Sequence, residues 1–219
     1  MKAVIIGPPG AGKGSVAEYF KSKYCIPHLS TGDVFRAEIS RETELGRIAK
    51  TYIDRGELVP DDIVIEIVKK TLSQMDLSRG VILDGYPRTL KQAEALDSFL
   101  EIDVAIYVYI PEEVAIERLS NRYVCPICNK IYNLKFNPPK NDLTCDQDGA
   151  KLYRRSDDEP DIVRERYRVY YQQSKAVIDY YRSKRKLVEV DNSQNLEFTI
   201  GILEKILISN GILKLKPCR

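Results

Sequence analysis

A glycine-rich stretch near the start of the chain, GPPGAGKGSV (residues 7–16), has the composition of a phosphate-binding loop. It follows a short apolar run, and the N–H groups of such a turn converge on an anion at the N-terminus of the next helix. In the general pattern a magnesium-binding hydroxyl follows the lysine directly, but here Gly14 follows Lys13 and the hydroxyl belongs to Ser15. The stretch therefore predicts a nucleotide-binding loop with one residue out of the general register.

A second group of chemically active residues is a cysteine cluster. Cys125, Cys128, Cys145 and Asp148 stand at C-x-x-C and C-x-x-D spacing, which is typical of a zinc site. Three thiolates and a carboxylate leave no open position, so we predict a structural metal. Asp146 is an alternative fourth ligand. A redox C-x-x-C pair is a further alternative, although it leaves the third cysteine unexplained.

The elements that would position these residues alternate between short β-branched runs and longer helical segments, which predicts an α/β protein with a five-stranded parallel sheet. The predicted strands are residues 3–6, 27–29, 81–84, 104–110 and 187–190. The predicted helices are residues 13–24, 61–73, 90–99, 111–120 and 160–181. Asp157, Asp158 and Glu159 suit the N-terminus of the last helix.

Two segments do not fit the alternation and are interpreted as insertions into the core, residues 30–59 and 122–159. The predicted core then consists of residues 1–29, 60–121 and 160–219. The remaining two cysteines, Cys25 and Cys218, fall outside the cysteine cluster and are expected to be a packed residue and a tail residue.

Composition excludes several broad classes. The 219 residues are 43% hydrophobic and 30% charged, with a net charge of +2, so one main globular domain is expected and nucleic acid is not the default partner. The basic run at residues 182–186 is interpreted as a solvated helix end.

The first apolar run is too short for a signal peptide, and residues 104–110 are too short to span a membrane. We expect a monomer in the cytoplasm.

A series of motifs makes the assignment more specific. GPPGAGKGS, STGDVFR, RGELVP, DGYPRT and NRYVCPIC follow one another in an order that resembles the adenylate kinase family, in its long-lid, zinc-bearing bacterial form. The resemblance extends from residue 2 to about residue 194, and the family's own loop has glycine before the hydroxyl residue. It implies a P-loop three-layer fold with an AMP-binding insertion and a zinc-bearing lid. It also implies reversible phosphoryl transfer from MgATP to AMP, giving two ADP.

The resemblance also assigns site residues. Phosphoryl transfer requires positioning and neutralisation of charge, and arginine binds phosphate oxygens in pairs. The residues implied for catalysis are Lys13, Asp84, Arg88, Arg122, Arg155 and Arg166. Arg154 could replace Arg155, and Arg164 or Arg168 could replace Arg166, if the register slips. The residues implied for ATP are Gly10, Ala11, Gly12, Lys13, Gly14, Ser15, Arg118, Arg122, Ile131, Tyr132 and Gln194. Those implied for AMP are Thr31, Arg36, Glu57, Leu58, Val59, Gly85, Tyr86, Pro87, Arg88, Gln92, Arg155 and Arg166.

Because the hydroxyl of Ser15 stands one residue after its usual position, another group must hold magnesium. A shift of one residue turns a side chain by about 100° around a helix, so Ser15 cannot take the usual position. We expect the metal to keep most of its water shell, with Asp84 and Asp33 binding those waters. His28, the only histidine, is expected to pack at a strand end, because the reaction needs no general base.

Two alternatives remain open from the sequence. One is a UMP/CMP or GMP kinase of the same fold, against which the long cysteine-bearing lid and Thr31 argue. The other is a zinc-ribbon nucleic-acid-binding protein with a vestigial phosphate loop, against which the near-neutral charge argues.

Overall fold

A central parallel sheet is built from five strands, and the computed structural model describes residues 1–218 of the chain. The strand order is β2-β3-β1-β4-β7. In the described residues the strands are, in order, β1 (Lys2–Ile6), β2 (His28–Ser30), β3 (Val81–Asp84), β4 (Val104–Tyr109), β5 (Arg122–Val124), β6 (Ile131–Asn133) and β7 (Leu187–Asp191). The pairs β2–β3, β3–β1, β1–β4 and β4–β7 are all parallel. The predicted α/β class and five-stranded parallel sheet are therefore confirmed.

Helices cover both faces of this sheet. They are α1 (Lys13–Tyr24), α2 (Thr31–Ser40), α3 (Glu44–Ile53), α4 (Asp61–Ser73), α5 (Leu90–Asp97), α6 (Glu112–Ser120), α7 (Pro160–Ser183) and α8 (Leu196–Ser209). Alternate residues of β1 point to opposite faces, as the pleat of a strand requires. Ala3 and Ile5 join a core with α1 and α8, whereas Val4 and Ile6 join a core with α4, α5 and α7. The result is three layers, helix on sheet on helix.

The predicted bounds of α1 and α4 agree with the structure, but other parts of the prediction were wrong. Helices α2 and α3, which lie within segment 30–59, were not predicted from the sequence, and neither was α8. Each has a side-chain N-cap, from Ser30, Thr43 and Asn195 respectively. These caps accept hydrogen bonds from the first free N–H groups of the helix and so define its start.

Residues 122–159 contain the small antiparallel pair β5–β6 and a 3-10 turn at Ser156–Asp158. This segment has a core of its own, formed by Cys125, Tyr132, Cys145 and Leu152. Four buried side chains are a small core, so a hairpin unit of this size needs a further stabilising interaction.

The expectation for the two outlying cysteines was wrong, because Cys25 and Cys218 form a disulfide bond across a sequence separation of 193 residues. The bond ties the C-terminal tail to the end of α1. Arg79 adds a hydrogen bond from Nη2 to the carbonyl oxygen of Lys216 at 3.0 Å. The sequence contains five cysteines, so the remaining three are those of the cluster.

Candidate active site

The phosphate loop lies at the carboxyl end of β1 and closes around its own lysine. The Nζ atom of Lys13 donates to the carbonyl oxygens of Gly7 and Pro8, both at 2.8 Å. Gly12 has φ of 83°, a left-handed conformation that glycine adopts without strain. A Cβ atom on Gly12 would also lie 2.7 Å from Nδ2 of Asn192. Both space and backbone conformation therefore require glycine at this position.

Asn192 supports the loop from the opposite side and was not identified from the sequence. Its side chain is buried between β7 and α8, and Nδ2 donates to the carbonyl oxygen of Ala11 at 2.8 Å. An asparagine after a strand resembles any turn residue, so only the fold reveals this contact. Gln194, expected near ATP, is exposed two residues further along the same loop.

Asp84 ends β3 and lies against the loop. Its Oδ2 atom is 3.4 Å from the position that a Cβ of Gly14 would occupy, and 3.7 Å from Nε2 of His28. Burial by itself would raise the pKa of Asp84, but His28 and then Lys13 outweigh it and hold the pKa below its usual value. Asp84 is thus a carboxylate beside the phosphate loop. Asp33, in contrast, pairs with Arg36 and lies 4.0 Å from Arg155.

The inward arginines are held by two acidic residues whose role was missed. Arg122 donates from Nε to Oδ2 of Asp158 at 2.8 Å, and from Nη2 to the other carboxylate oxygen. Nη1 of Arg166 lies 2.9 Å from the Asp157 carboxylate and 3.5 Å from that of Asp158. Asp157 and Asp158 do precede α7, as expected, but the side chain of Asp158 is completely buried. They serve as counter-ions for arginines.

The structure also separates the alternative arginines. Arg155 is turned inward with 10% of its side chain exposed, whereas Arg154 is 34% exposed and lies 3.9 Å from Glu159. On α7, Arg166 is 20% exposed, whereas Arg164 and Arg168 are exposed and pair with carboxylates of their own helix. The geometry brings Arg155 and Arg166, not their neighbours, to the interior.

Burial disfavours the charged form of the basic side chains in this site. Burial lowers the pKa of Arg88 to about 10, with a further contribution from the nearby charge of Arg166. Burial also lowers the pKa of Arg155 to about 10, with a further contribution from Arg122. Burial likewise lowers the pKa of Lys13 to about 7. Groups with this perturbation mark a functional site, and an anion placed among them would relieve the repulsion. The electrostatics of the site therefore favour a phosphate ligand.

A cavity opens between α2, α3 and the carboxyl ends of the strands. Its walls are Thr31, Gly32, Phe35, Arg36, Ile53, Gly56, Glu57, Leu58, Val59, Val64, Gly85, Arg88, Gln92, Asp157 and Arg166. It contains most of the residues expected around AMP. A second cavity shares part of this wall and adds Lys13 and Pro87. Tyr86 is fully buried, and its hydroxyl donates to the backbone oxygen of Gln92 at 3.1 Å.

The residues expected around ATP differ from one another in how far their side chains are exposed. The Arg118 guanidinium lies 6.0 Å from the ring centroid of Phe136, which is 53% exposed and was not assigned from the sequence. Ile131 is 38% exposed, whereas the Tyr132 side chain is buried with its hydroxyl 3.4 Å from Sγ of Cys145. The Tyr132 side chain therefore belongs to the core of the small segment.

The cysteine cluster comes together as the spacing predicts. The ligand atoms of Cys125, Cys128, Cys145 and Asp148 all lie within 4.8 Å of one another. Sγ of Cys128 is 3.5 Å from Sγ of Cys145, close to the separation of about 3.8 Å that two thiolates adopt on a tetrahedral zinc. Asp146 is turned away and accepts a hydrogen bond from the N–H of Lys140. The donor set and its compactness fit a zinc ion.

A parallel sheet with a phosphate loop, facing a group of inward arginines, defines a P-loop phosphotransferase. The adenylate kinase family model matches residues 5–186. The chain is 49% identical to an adenylate kinase of Archaeoglobus fulgidus over 212 residues, 94% of this chain and 98% of the relative. It is 50% identical to that of Thermosipho melanesiensis over 205 residues (91% and 96%) and 47% identical to that of Clostridium perfringens over 215 residues (96% and 100%). The chain belongs to the adenylate kinase family.

Family membership establishes the reaction. The protein is a nucleoside monophosphate kinase that binds ATP, AMP and ADP and converts ATP and AMP reversibly into two ADP, using magnesium with ATP. Among the described residues, none of the helices combines the length and apolar character that a bilayer span requires.

Proposed function

We propose that the arginine-lined cavity is the AMP site. Arg36, Arg88 and Arg166 would bind the phosphate, and Gln92 would read the base. The single observation that carries this proposal is that three arginines and the amide of Gln92 line one cavity. The rest of the nucleotide would contact Thr31, Glu57, Leu58, Val59, Gly85, Tyr86 and Pro87, with Arg155 reaching the phosphate.

ATP would lie across the phosphate loop. Gly10, Ala11, Gly12, Lys13, Gly14 and Ser15 would bind its phosphates, with Arg122 beside them. Arg118, Ile131, the backbone of Tyr132, and Gln194 would surround the base and ribose. Phe136 supports this assignment, because an exposed aromatic ring beside a guanidinium offers a stacking surface for adenine.

The transfer itself would depend on charge placed in advance. Lys13, Arg88, Arg122, Arg155 and Arg166 would neutralise the moving phosphoryl group and hold donor and acceptor in line. The Nε atom of Arg155 is a buried donor that has no partner among the described residues. A phosphate oxygen would satisfy it, which supports the placement of Arg155 at the reacting centre.

We infer three structural units with different roles. Residues 1–29, 60–121 and 160–219 would form the core, residues 30–59 the AMP-binding insertion and residues 122–159 the lid. The 4.0 Å approach of lid residue Arg155 to insertion residue Asp33 supports a closed arrangement. Closure would exclude water, which otherwise competes as phosphoryl acceptor.

We propose that the lid holds a structural zinc ion on Cys125, Cys128, Cys145 and Asp148. Backbone N–H groups of Ile127 and Cys128 point at Sγ of Cys125, at 3.4 and 3.5 Å, as outer contacts of thiolate ligands do. Because the lid core contains only four buried side chains, the metal would supply much of its folding energy.

Asp84 is proposed as the main magnesium contact, acting through bound water, with Asp33 in a lesser role. Asp84 supports this by its position beside Gly14, while Asp33 is already paired with Arg36. Asp84→Asn should lower the rate and raise the magnesium concentration needed for half-maximal activity. If neither quantity changed, the assignment would be abandoned.

AMP is the acceptor in the reaction of this family. A coupled assay with AMP, CMP, UMP and GMP as acceptors measures how strictly the site selects AMP, because a UMP/CMP or GMP kinase would prefer another of the four. We also infer a cytoplasmic monomer without a nucleic-acid partner. In the basic run, Arg182, Lys184 and Lys186 pair with carboxylates, which supports that inference. Salt-dependent binding of RNA or DNA without kinase activity would contradict it.

A further inference from the structure

Gln92 is held in one orientation by two groups of opposite hydrogen-bonding character. Its Oε1 atom accepts from the backbone N–H of Arg88 at 2.8 Å, and its Nε2 atom donates to Oδ1 of Asp61 at 2.7 Å. A backbone N–H can only donate and a carboxylate can only accept. Rotation of the amide by 180° would therefore place donor against donor and acceptor against acceptor.

The two contacts leave Gln92 with a defined remaining capacity. A side-chain amide carries two N–H donors and two acceptor lone pairs. One of each is used by Asp61 and Arg88, so one N–H and one lone pair remain. Gln92 is 1% exposed and forms part of the cavity wall, so a ligand in the cavity could use the remaining N–H and lone pair.

A fixed amide distinguishes bases by the order of their donors and acceptors. Adenine presents an amino donor next to a ring-nitrogen acceptor, the pattern to which glutamine binds with two hydrogen bonds. Hypoxanthine, guanine and uracil present the reverse order, a carbonyl next to a ring N–H. Cytosine has the same order as adenine but is a smaller ring. Hypoxanthine has the same size as adenine, so Gln92 can separate the two bases only by the orientation of its amide.

We propose that Asp61 is a positioning residue that determines the base specificity of the acceptor site by fixing the direction of the Gln92 amide. Asp61 is absent from the cavity wall, so it acts from behind Gln92. Its Oδ1 atom also accepts from Oγ1 of Thr89 at 3.0 Å, and Thr89 caps the helix that carries Gln92. One carboxylate oxygen thus fixes both the side chain and the backbone of the residue that reads the base. This inference rests on the proposed AMP site.

The test measures kcat/KM for AMP, IMP and CMP in Asp61→Ala. Loss of the carboxylate removes one of the two bonds that oppose rotation, so the AMP-to-IMP ratio should fall roughly tenfold. The AMP-to-CMP ratio should stay within about twofold, because cytosine has the donor order of adenine. A purely structural role for Asp61 would lower all three values together and leave both ratios unchanged, which would overturn the inference.

Two further variants keep the test decisive. Asp62→Ala removes a neighbouring carboxylate of the same helical turn. This carboxylate is exposed and, among the described residues, pairs with Lys91 alone, so its loss should change neither ratio. Asp61→Asn preserves the shape of the side chain and can donate as well as accept, so it should lower the AMP-to-IMP ratio by roughly threefold. This variant provides the test even if Asp61→Ala does not fold. An unchanged ratio in Asp61→Asn would also overturn the inference.

Failure of the AMP site itself is recognised separately. Gln92→Ala should lower kcat/KM for AMP strongly in the same assay. If Gln92→Ala retained wild-type activity with AMP, the proposed site and this inference would both be wrong. If it lost activity while Asp61→Ala kept the wild-type ratios, only the inference would be wrong.

Discussion

The buried carboxylate of Asp158 accepts two hydrogen bonds from the guanidinium of Arg122, the first from Nε at 2.8 Å. The same carboxylate lies 3.5 Å from Nη1 of Arg166. One fully buried anion therefore sets the positions of two cations that are proposed to act on the phosphoryl group. The charges proposed for catalysis therefore depend on a residue that need not touch either nucleotide.

Asp158→Asn should lower both activity and stability. Breaking a buried ion pair leaves an uncompensated charge and typically costs about 3–5 kcal/mol of unfolding free energy. We expect kcat to fall by roughly a hundredfold, because Arg122 and Arg166 lose their fixed geometry. Asp161→Asn is the control, since that carboxylate is 95% exposed and, within residues 1–218, pairs with Arg164 alone. Equal behaviour of the two variants in denaturant unfolding and steady-state assays would contradict the role of Asp158.

ATP binding should be accompanied by proton uptake at Lys13. Burial lowers the Lys13 pKa to about 7, with Arg88, Arg166 and Arg122 contributing and Asp84 opposing. At pH 8 the free amine is mostly neutral, and a bound phosphate favours the charged form. Uptake should approach one proton at pH 8 and vanish near pH 6, where Lys13 is already protonated. Calorimetry in buffers of different ionisation enthalpy measures this, and pH-independent uptake would count against it.

Chelation of the lid metal should affect stability more than activity. Without its metal the lid has too little core to keep its shape on heating, whereas the phosphate loop and most of the wall of the proposed acceptor cavity lie outside the lid. We expect a chelator to lower Tm by about 10 °C or more while most of the activity at low temperature remains. Cys145→Ser should reproduce this effect. Equal losses of stability and activity, or the absence of zinc in a metal assay of protein purified without added zinc, would argue against a structural zinc.

Opening the Cys25–Cys218 bond should destabilise the protein without changing its chemistry. The bond closes a loop across a separation of 193 residues, and chain-entropy arguments give up to about 5 kcal/mol for a loop this long. Cys218→Ser should therefore lower the unfolding free energy by several kcal/mol, with kcat unchanged. Thiol titration of the denatured, metal-free protein provides the check: three reactive thiols confirm the bond, and five contradict it.

The sequence was most informative where local signals and chemistry coincide. The bounds of α1 and α4 could be predicted because Gly12 and Pro60 stand directly before the first helical residues. The cysteine cluster could be predicted because its members have a fixed short spacing. α8 carries a clear N-cap at Asn195, so its omission was an error of interpretation and the signal was present.

Other features depend on tertiary structure and had no local signal. Asp158 has the sequence context of a helix N-terminus, and nothing in that context shows that its side chain is buried between two arginines. The partners Cys25 and Cys218 are too far apart in sequence for spacing to join them. Asp61 reads as an ordinary residue of a first helical turn, and only its contact with Gln92 gives it a further role.

If the arginine-lined cavity binds the AMP phosphate for transfer, kcat/KM for AMP should fall steeply in Arg88→Ala. The Arg88 side chain lines the cavity, and its Nε donates to Gly85 at 2.8 Å. We predict a fall of about a thousandfold or more, against less than twofold for Arg164→Ala on the outer face of α7. A fall of less than threefold in correctly folded Arg88→Ala would show that this cavity does not bind the AMP phosphate.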